Sequence, residues 1–131
     1  MFSMPKTEKA LTMLIVEDDE VLLRALYLLF HGNQFTVASA TDGESALRMT
    51  ERLKPDLVLL DLLLPKLNGF DYLKDVKANP VLKNIPVVVL SNLGDKDSLE
   101  KAKALGASDY FIKSNTDLST LVDKVKKYLK I

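Results

Sequence analysis

The chain predicts an α/β fold in which a parallel, doubly wound sheet of five strands is covered by five helices. Three observations carry this prediction. Five short apolar runs punctuate the 131 residues, and three of them are continuous rather than alternating, the pattern of strands buried on both faces. Segments of helical spacing separate the runs, so the order reads βα five times over, and right-handed crossovers then put helices on both sides of the sheet. Apolar residues make up 47% of the chain, enough to fill the core of one domain.

The elements follow in order. Met13–Val16 is the first run, and Val21, Ala25, Leu28 and Leu29 are expected to share the buried face of the helix after it. His31, beside Gly32, reads as a residue at that helix's end. Phe35–Ala38 is the second run. The helix behind it is striped by Ala46, Leu47, Met49 and Leu53 and closed by Lys54-Pro55, because a residue before proline avoids the helical region. Leu57–Leu60 is the third run, and Phe70, Leu73, Val76 and Lys77 begin a helix that ends near Asn79-Pro80. Val87–Leu90 precedes a helix marked by Leu99, Ala102 and Leu105 and capped by Gly106. Tyr110–Ile112 is the last strand. Leu118, Leu121, Val122, Val125 and Leu129 stripe the final helix, with Thr116 or Asp117 as its N-cap and lysines near its C-terminal end, where they complement the dipole. Residues 1–11 read as a flexible N-terminal tail. Residues 12–131 read as a single domain with no linker, and nothing after the last helix leaves room for a second one.

Composition removes several function classes. Lys plus Arg and Asp plus Glu both number 18, so there is no electrostatic case for binding nucleic acid. The absence of cysteine rules out disulfides and thiolate metal sites, and a lone histidine rules out a histidine-rich zinc site. No apolar run reaches the length of a membrane span, and the start of the chain lacks the apolar centre of a secretion signal. The expectation is a soluble, cytoplasmic protein.

In a doubly wound sheet, ligands bind beyond the carboxyl ends of the strands. Glu17, Asp18 and Asp19 follow the first strand, Asp61 the third, Ser91 the fourth and Lys113 the fifth. Each has a plain structural reading: Asp18 or Asp19 as a helix cap, Ser91 as a turn residue, Lys113 as a surface lysine. Asp61 resists one, since a carboxylate among leucines is costly unless partnered. Carboxylates gathered at one edge repel by roughly 4 kcal/mol per pair at 4 Å and an effective dielectric near 20. Lys113 offsets part of this, and a divalent cation the rest. Hard oxygen donors without histidine or cysteine select magnesium, which also takes phosphate oxygens.

The residues resemble the receiver domains of bacterial two-component response regulators. The match rests on the acidic pair in LIVEDD, the D-x-x-x-P-x-x-x-G run of Asp61, Pro65 and Gly69, the serine ending VVVLS and the lysine of DYFIK, and it spans about residues 12 to 130. The resemblance implies a flavodoxin-like sheet of strand order 2-1-3-4-5. It implies Asp61 as phosphoacceptor from a sensor histidine kinase or phosphotransfer protein. Asp18 becomes the direct Mg2+ ligand, Glu17 the holder of metal waters, and the Leu63 backbone carbonyl a further ligand alongside Asp61. Lys113 and Ser91 become partners of phosphoryl oxygens, and Tyr110 an aromatic switch that reports to a downstream protein. Such a protein catalyses only its own phosphorylation and dephosphorylation. A stand-alone signalling receiver is the leading reading, and an adaptor that docks without phosphorylation the alternative.

Two positions depart from that pattern and two more modulate it. Asn92 stands where the family usually has alanine or glycine, and a larger side chain there is expected to slow small phosphodonors. Ser114 stands where the family usually has proline after a cis bond, so Lys113-Ser114 is either trans with a different loop or a strained cis peptide. Leu63 and Leu93 occupy lifetime-tuning positions and hold no water for hydrolysis, which favours a long-lived phosphoryl state. A phosphatase or nucleotide-binding enzyme fits less well, since the first βα turn has no glycine-rich loop and no second aspartate stands two residues after Asp61.

Overall fold

Every strand run in the sequence becomes a strand of one parallel sheet. The computed structural model describes residues 11–131. Its elements are β1 (Thr12–Val16), α1 (Glu20–Gly32), β2 (Thr36–Ala40), α2 (Gly43–Leu53), β3 (Leu57–Leu60), α3 (Gly69–Ala78), β4 (Val87–Ser91), α4 (Lys96–Ala104), β5 (Asp109–Ile112) and α5 (Leu118–Leu129). A single 3-10 turn, Lys113–Asn115, separates β5 from α5. The strand order is β2-β1-β3-β4-β5, as the resemblance implied.

Alternate residues of the central strands feed two cores. Leu14, Val16, Val58, Leu60, Val87 and Val89 face one side, where Ala46 of α2, Tyr72, Leu73 and Val76 of α3 and Ala102 of α4 cover them. Met13, Ile15, Leu57, Leu59, Val88 and Leu90 face the other, under Leu26 and Phe30 of α1 and Leu121, Val122 and Val125 of α5. Burial on both faces is why these runs show no alternation. Aspartates and an asparagine start the helices: Asp19, Asp42, Asn68, Asp95 and Asp117 each accept backbone N–H bonds at the N-terminus of the helix that follows. Lys54 closes α2 in the left-handed conformation, and Gly106, at φ 107°, follows the end of α4.

Three expectations change. The buried face of α1 is Leu26 and Phe30, with Leu22, Leu23 and Leu29 half-buried, while Val21 is 82% and Leu28 63% exposed and Ala25 is exposed too. The helix is apolar on two sides, so periodicity alone names two stripes and only the sheet chooses between them. In α2 the buried stripe is Ala46 and Thr50, and Leu53 is exposed. Thr50 is buried because its hydroxyl donates to the Ala46 carbonyl at 2.7 Å and meets the Tyr72 hydroxyl of α3 at 2.6 Å. β2 runs to Ala40 rather than Ala38, because pairing with the whole of β1 extends it. The expected tail lies outside the described residues except for Leu11, which packs against the α1 side of the core and accepts the Thr36 N–H at 2.9 Å.

Candidate functional site

The sheet ladder continues one step past the strands and sets two acids side by side. The Glu17 N–H donates to the Ala40 carbonyl and the Asp61 N–H to the Val16 carbonyl, both at 3.0 Å. Their carboxylates are only 2% and 4% exposed. One carboxylate oxygen each from Glu17, Asp18 and Asp61 lies within 4.8 Å of the others, with Asp18 on the exposed side.

Lys113, at the far edge of the sheet, reaches back to both buried acids. Its Nζ is 2.6 Å from Glu17 Oε1 and 2.8 Å from Asp61 Oδ2. The other two oxygens are also partnered: Glu17 Oε2 accepts the Asp19 N–H at 3.0 Å, and Asp61 Oδ1 accepts the Leu63 N–H at 3.1 Å. Charge-assisted bonds of this kind offset the desolvation of buried carboxylates. Burial pushes the Glu17 carboxyl up, with the neighbouring Asp61 charge adding to it, against the lowering by Lys113 and the Asp19 N–H. Burial alone would lower the Lys113 ammonium, but its bonds to Asp61 and Glu17 and their charges outweigh it and hold the amine above its ordinary value.

Ser91 ends β4 with its side chain fully buried, and its Oγ accepts the Leu93 N–H at 3.4 Å. The β3–β4 register pairs Leu60 with Val89, so Asp61 follows that pair by one residue and Ser91 by two. The Tyr110 hydroxyl is bonded to the loop after β4 and not to the acids: it donates to the Leu93 carbonyl. The ring packs against the core beneath α2–α4. Burial pushes this phenol up, and the Asp95 and Asp61 charges add to the effect. Tyr110 and Ser91 are thus joined through one residue, Leu93. Leu63 is 53% exposed, and Asn92 is exposed. The Lys113–Ser114 peptide is trans and leads into the 3-10 turn, so the lysine reaches the acids without a cis bond.

The D-x-x-x-P-x-x-x-G spacing has a steric basis. A Cβ on Gly69 would fall 2.6 Å from the Asp61 carbonyl oxygen and 2.5 Å from Leu62 Cα, so α3 starts directly against the backbone of the buried aspartate. Sequence reasoning missed the second close approach, between Gly43 and the loop after Asp61; the Asp42-Gly43 dipeptide at a helix start was the available signal. The donor set suits a hard divalent cation: three carboxylate oxygens, no nitrogen or sulfur, and two of the acids already held by their own hydrogen bonds.

The model of the response regulator receiver domain family matches residues 13–126. The chain belongs to the response regulator receiver family. Sporulation initiation phosphotransferase F of Bacillus subtilis (strain 168) is 34% identical over 118 residues, which cover 90% of this chain and 93% of that protein. Response regulator PleD of Caulobacter vibrioides is 33% identical over 105 residues, 80% of this chain but 23% of PleD. A crystal structure from Chloroflexus aurantiacus J-10-fl, described as a response regulator, superposes with a TM-score of 0.87 at 33% identity and covers 94% of this chain and 100% of that one. As a receiver domain, the chain is a component of two-component signalling. None of the helices among its described residues is long and apolar enough to cross a membrane.

Proposed function

We propose that this receiver accepts a phosphoryl group on Asp61 from a phosphohistidine of a sensor histidine kinase or phosphotransfer protein, and passes the signal to a downstream protein. The observation that supports it best is the Asp61 carboxylate: buried, with one oxygen on Lys113 and the other on the Leu63 N–H. A relative named a phosphotransferase, 34% identical over 118 residues, supports a role in phosphoryl transfer.

In the reaction, an Asp61 oxygen forms a bond to phosphorus as the phosphorus–nitrogen bond of the donor breaks, and the imidazole nitrogen keeps the electron pair. Glu17, Asp18, Asp61 and the Leu63 carbonyl are the residues that would hold Mg2+, which when bound neutralises charge on the phosphoryl oxygens. Lys113, freed from the Asp61 carboxylate, pairs with one phosphoryl oxygen. The Ser91 hydroxyl donates to another, and drawing it inward pulls on Leu93, to which Tyr110 is bonded. Leu93 thus connects the chemistry to β5, and a downstream protein that prefers one arrangement shifts the balance between them. This reading puts the protein in the cytoplasm with its kinase. Leu63 and Leu93, with no polar group to hold an attacking water, favour slow loss of the phosphoryl group.

Incubation with acetyl phosphate and Mg2+, followed by intact-mass measurement, tests the reading. A gain of one phosphoryl group in the wild type, absent in Asp61→Asn and abolished by chelator, is expected. An equal gain in Asp61→Asn, or none in the wild type, rejects it.

A further inference from the structure

Gly43, the first residue of α2, is buried against the loop that follows Asp61. A Cβ there would lie 1.7 Å from the Leu67 carbonyl oxygen, 2.5 Å from its carbonyl carbon and 2.7 Å from its Cβ. The Gly43 N–H donates to the Pro65 carbonyl at 3.3 Å. The start of α2 and this loop are therefore in backbone-to-backbone contact. At its other end the loop is clamped by the Gly69 N–H on the Leu62 carbonyl at 2.9 Å and by the close approach of Gly69 to Asp61. Between the two glycines, Lys66 turns the chain at φ 67° and Leu67 packs half-buried on the core.

Gly43 has no positive φ, so space rather than backbone freedom demands glycine here. We propose that Gly43 is a positioning residue: it seats the loop carrying Leu63 and thereby sets the affinity of the acid cluster for a divalent cation. The helix side of the contact is the stiffer one. Asp42 caps α2 through the Ser45 N–H at 2.8 Å and hydroxyl at 2.9 Å, and Thr50 ties the helix to Tyr72. A methyl group at Gly43 must then move the loop, since 1.7 Å is far inside contact distance, and loss of the groups that orient metal ligands costs about 10- to 100-fold in metal affinity. The inference deepens the phosphoacceptor reading and rests on it for the loop's role as a ligand. The seat itself is testable without it.

Two measurements on the full chain test the proposal. Without metal, hydrogen exchange of the Leu63 and Gly69 amides, both hydrogen-bonded inside the loop, should speed up at least tenfold in Gly43→Ala. With metal, the half-saturating Mg2+ concentration, read by thermal unfolding, should rise at least tenfold, and acetyl phosphate labelling should recover at high Mg2+. Gly32→Ala is the control, since a Cβ there meets nothing within 4 Å, and both readouts should stay at the wild-type level. Simple destabilisation would lower the unfolding temperature without moving the Mg2+ midpoint. A folded Gly43→Ala protein with unchanged loop exchange and a midpoint within twofold of wild type overturns the proposal. If Gly43→Ala does not fold, Leu67→Ala, which loosens the loop from its other side, decides: loop exchange unchanged from wild type overturns it as well. Failure of wild type to take up phosphoryl while Gly43→Ala still loosens the loop would sink the phosphoacceptor reading alone.

Discussion

Tyr72 is the largest of the fully buried side chains, and its hydroxyl is the polar link between α2 and α3. The Thr50 hydroxyl already donates to Ala46, so Tyr72 donates to Thr50. Burial pushes the phenol from 10.0 up to about 12, against a smaller lowering by Thr50. A pKa raised on folding contributes stability that is whole below the unfolded value and is lost as pH climbs through the folded one. The wild type should therefore lose about 2 to 3 kcal/mol through this group between pH 10 and 12. Tyr72→Phe should lose about 1 kcal/mol at neutral pH, one hydrogen bond, and show a flatter alkaline decline. Urea unfolding across that range checks both, and parallel curves for the two proteins would contradict the assignment. Neither partner was legible as a pair beforehand. A threonine and a tyrosine 22 residues apart carry no local signature of contact.

At the scale of elements, α1 is the instructive case. EVLLRALYLLFHG is apolar on two sides, and spacing alone favours Val21, Ala25 and Leu28 as readily as Leu22, Leu26 and Phe30. The sheet takes the second set, because Met13, Ile15, Leu57 and Leu59 meet Leu26 and Phe30 there. Leu26→Ala should then cost about 3 kcal/mol by leaving a cavity. Val21→Ser and Leu28→Ser, at exposed positions, should stay within about 0.5 kcal/mol of wild type. Equal losses at Leu26 and Leu28 in denaturant melts would show the face to be misassigned. α5 was read correctly at every core position, since its apolar stripe stands alone against a lysine-rich opposite side.

Over the whole molecule, Lys113 draws together the ends of β1, β3 and β5 by bonding Glu17 and Asp61 at once. Lys113→Met keeps the stem and removes the cation, leaving two buried carboxylates facing each other. Breaking a buried ion pair costs about 3 to 5 kcal/mol, and a cation bound only by the folded state returns about 2.7 kcal/mol at a hundredfold excess over its Kd. The variant should therefore be strongly destabilised in chelator and largely recovered in excess Mg2+. A loss under about 1 kcal/mol in chelator would mean that the lysine does not hold the cluster together.

By itself the sequence determined the βα rhythm, the two-faced burial of the central strands and the delivery of Glu17, Asp18, Asp61, Ser91 and Lys113 to strand ends. These follow from local spacing, which a single chain displays directly. The tertiary structure alone decided which side of α1 meets the sheet, how each oxygen of the buried acids is partnered, that Tyr110 holds the Leu93 carbonyl, and that Gly43 must lack a side chain. Apart from the bonds of Glu17 to the Asp19 N–H and of Asp61 to the Leu63 N–H, these are contacts between residues far apart in the chain, and local periodicity contains no information about which distant group arrives.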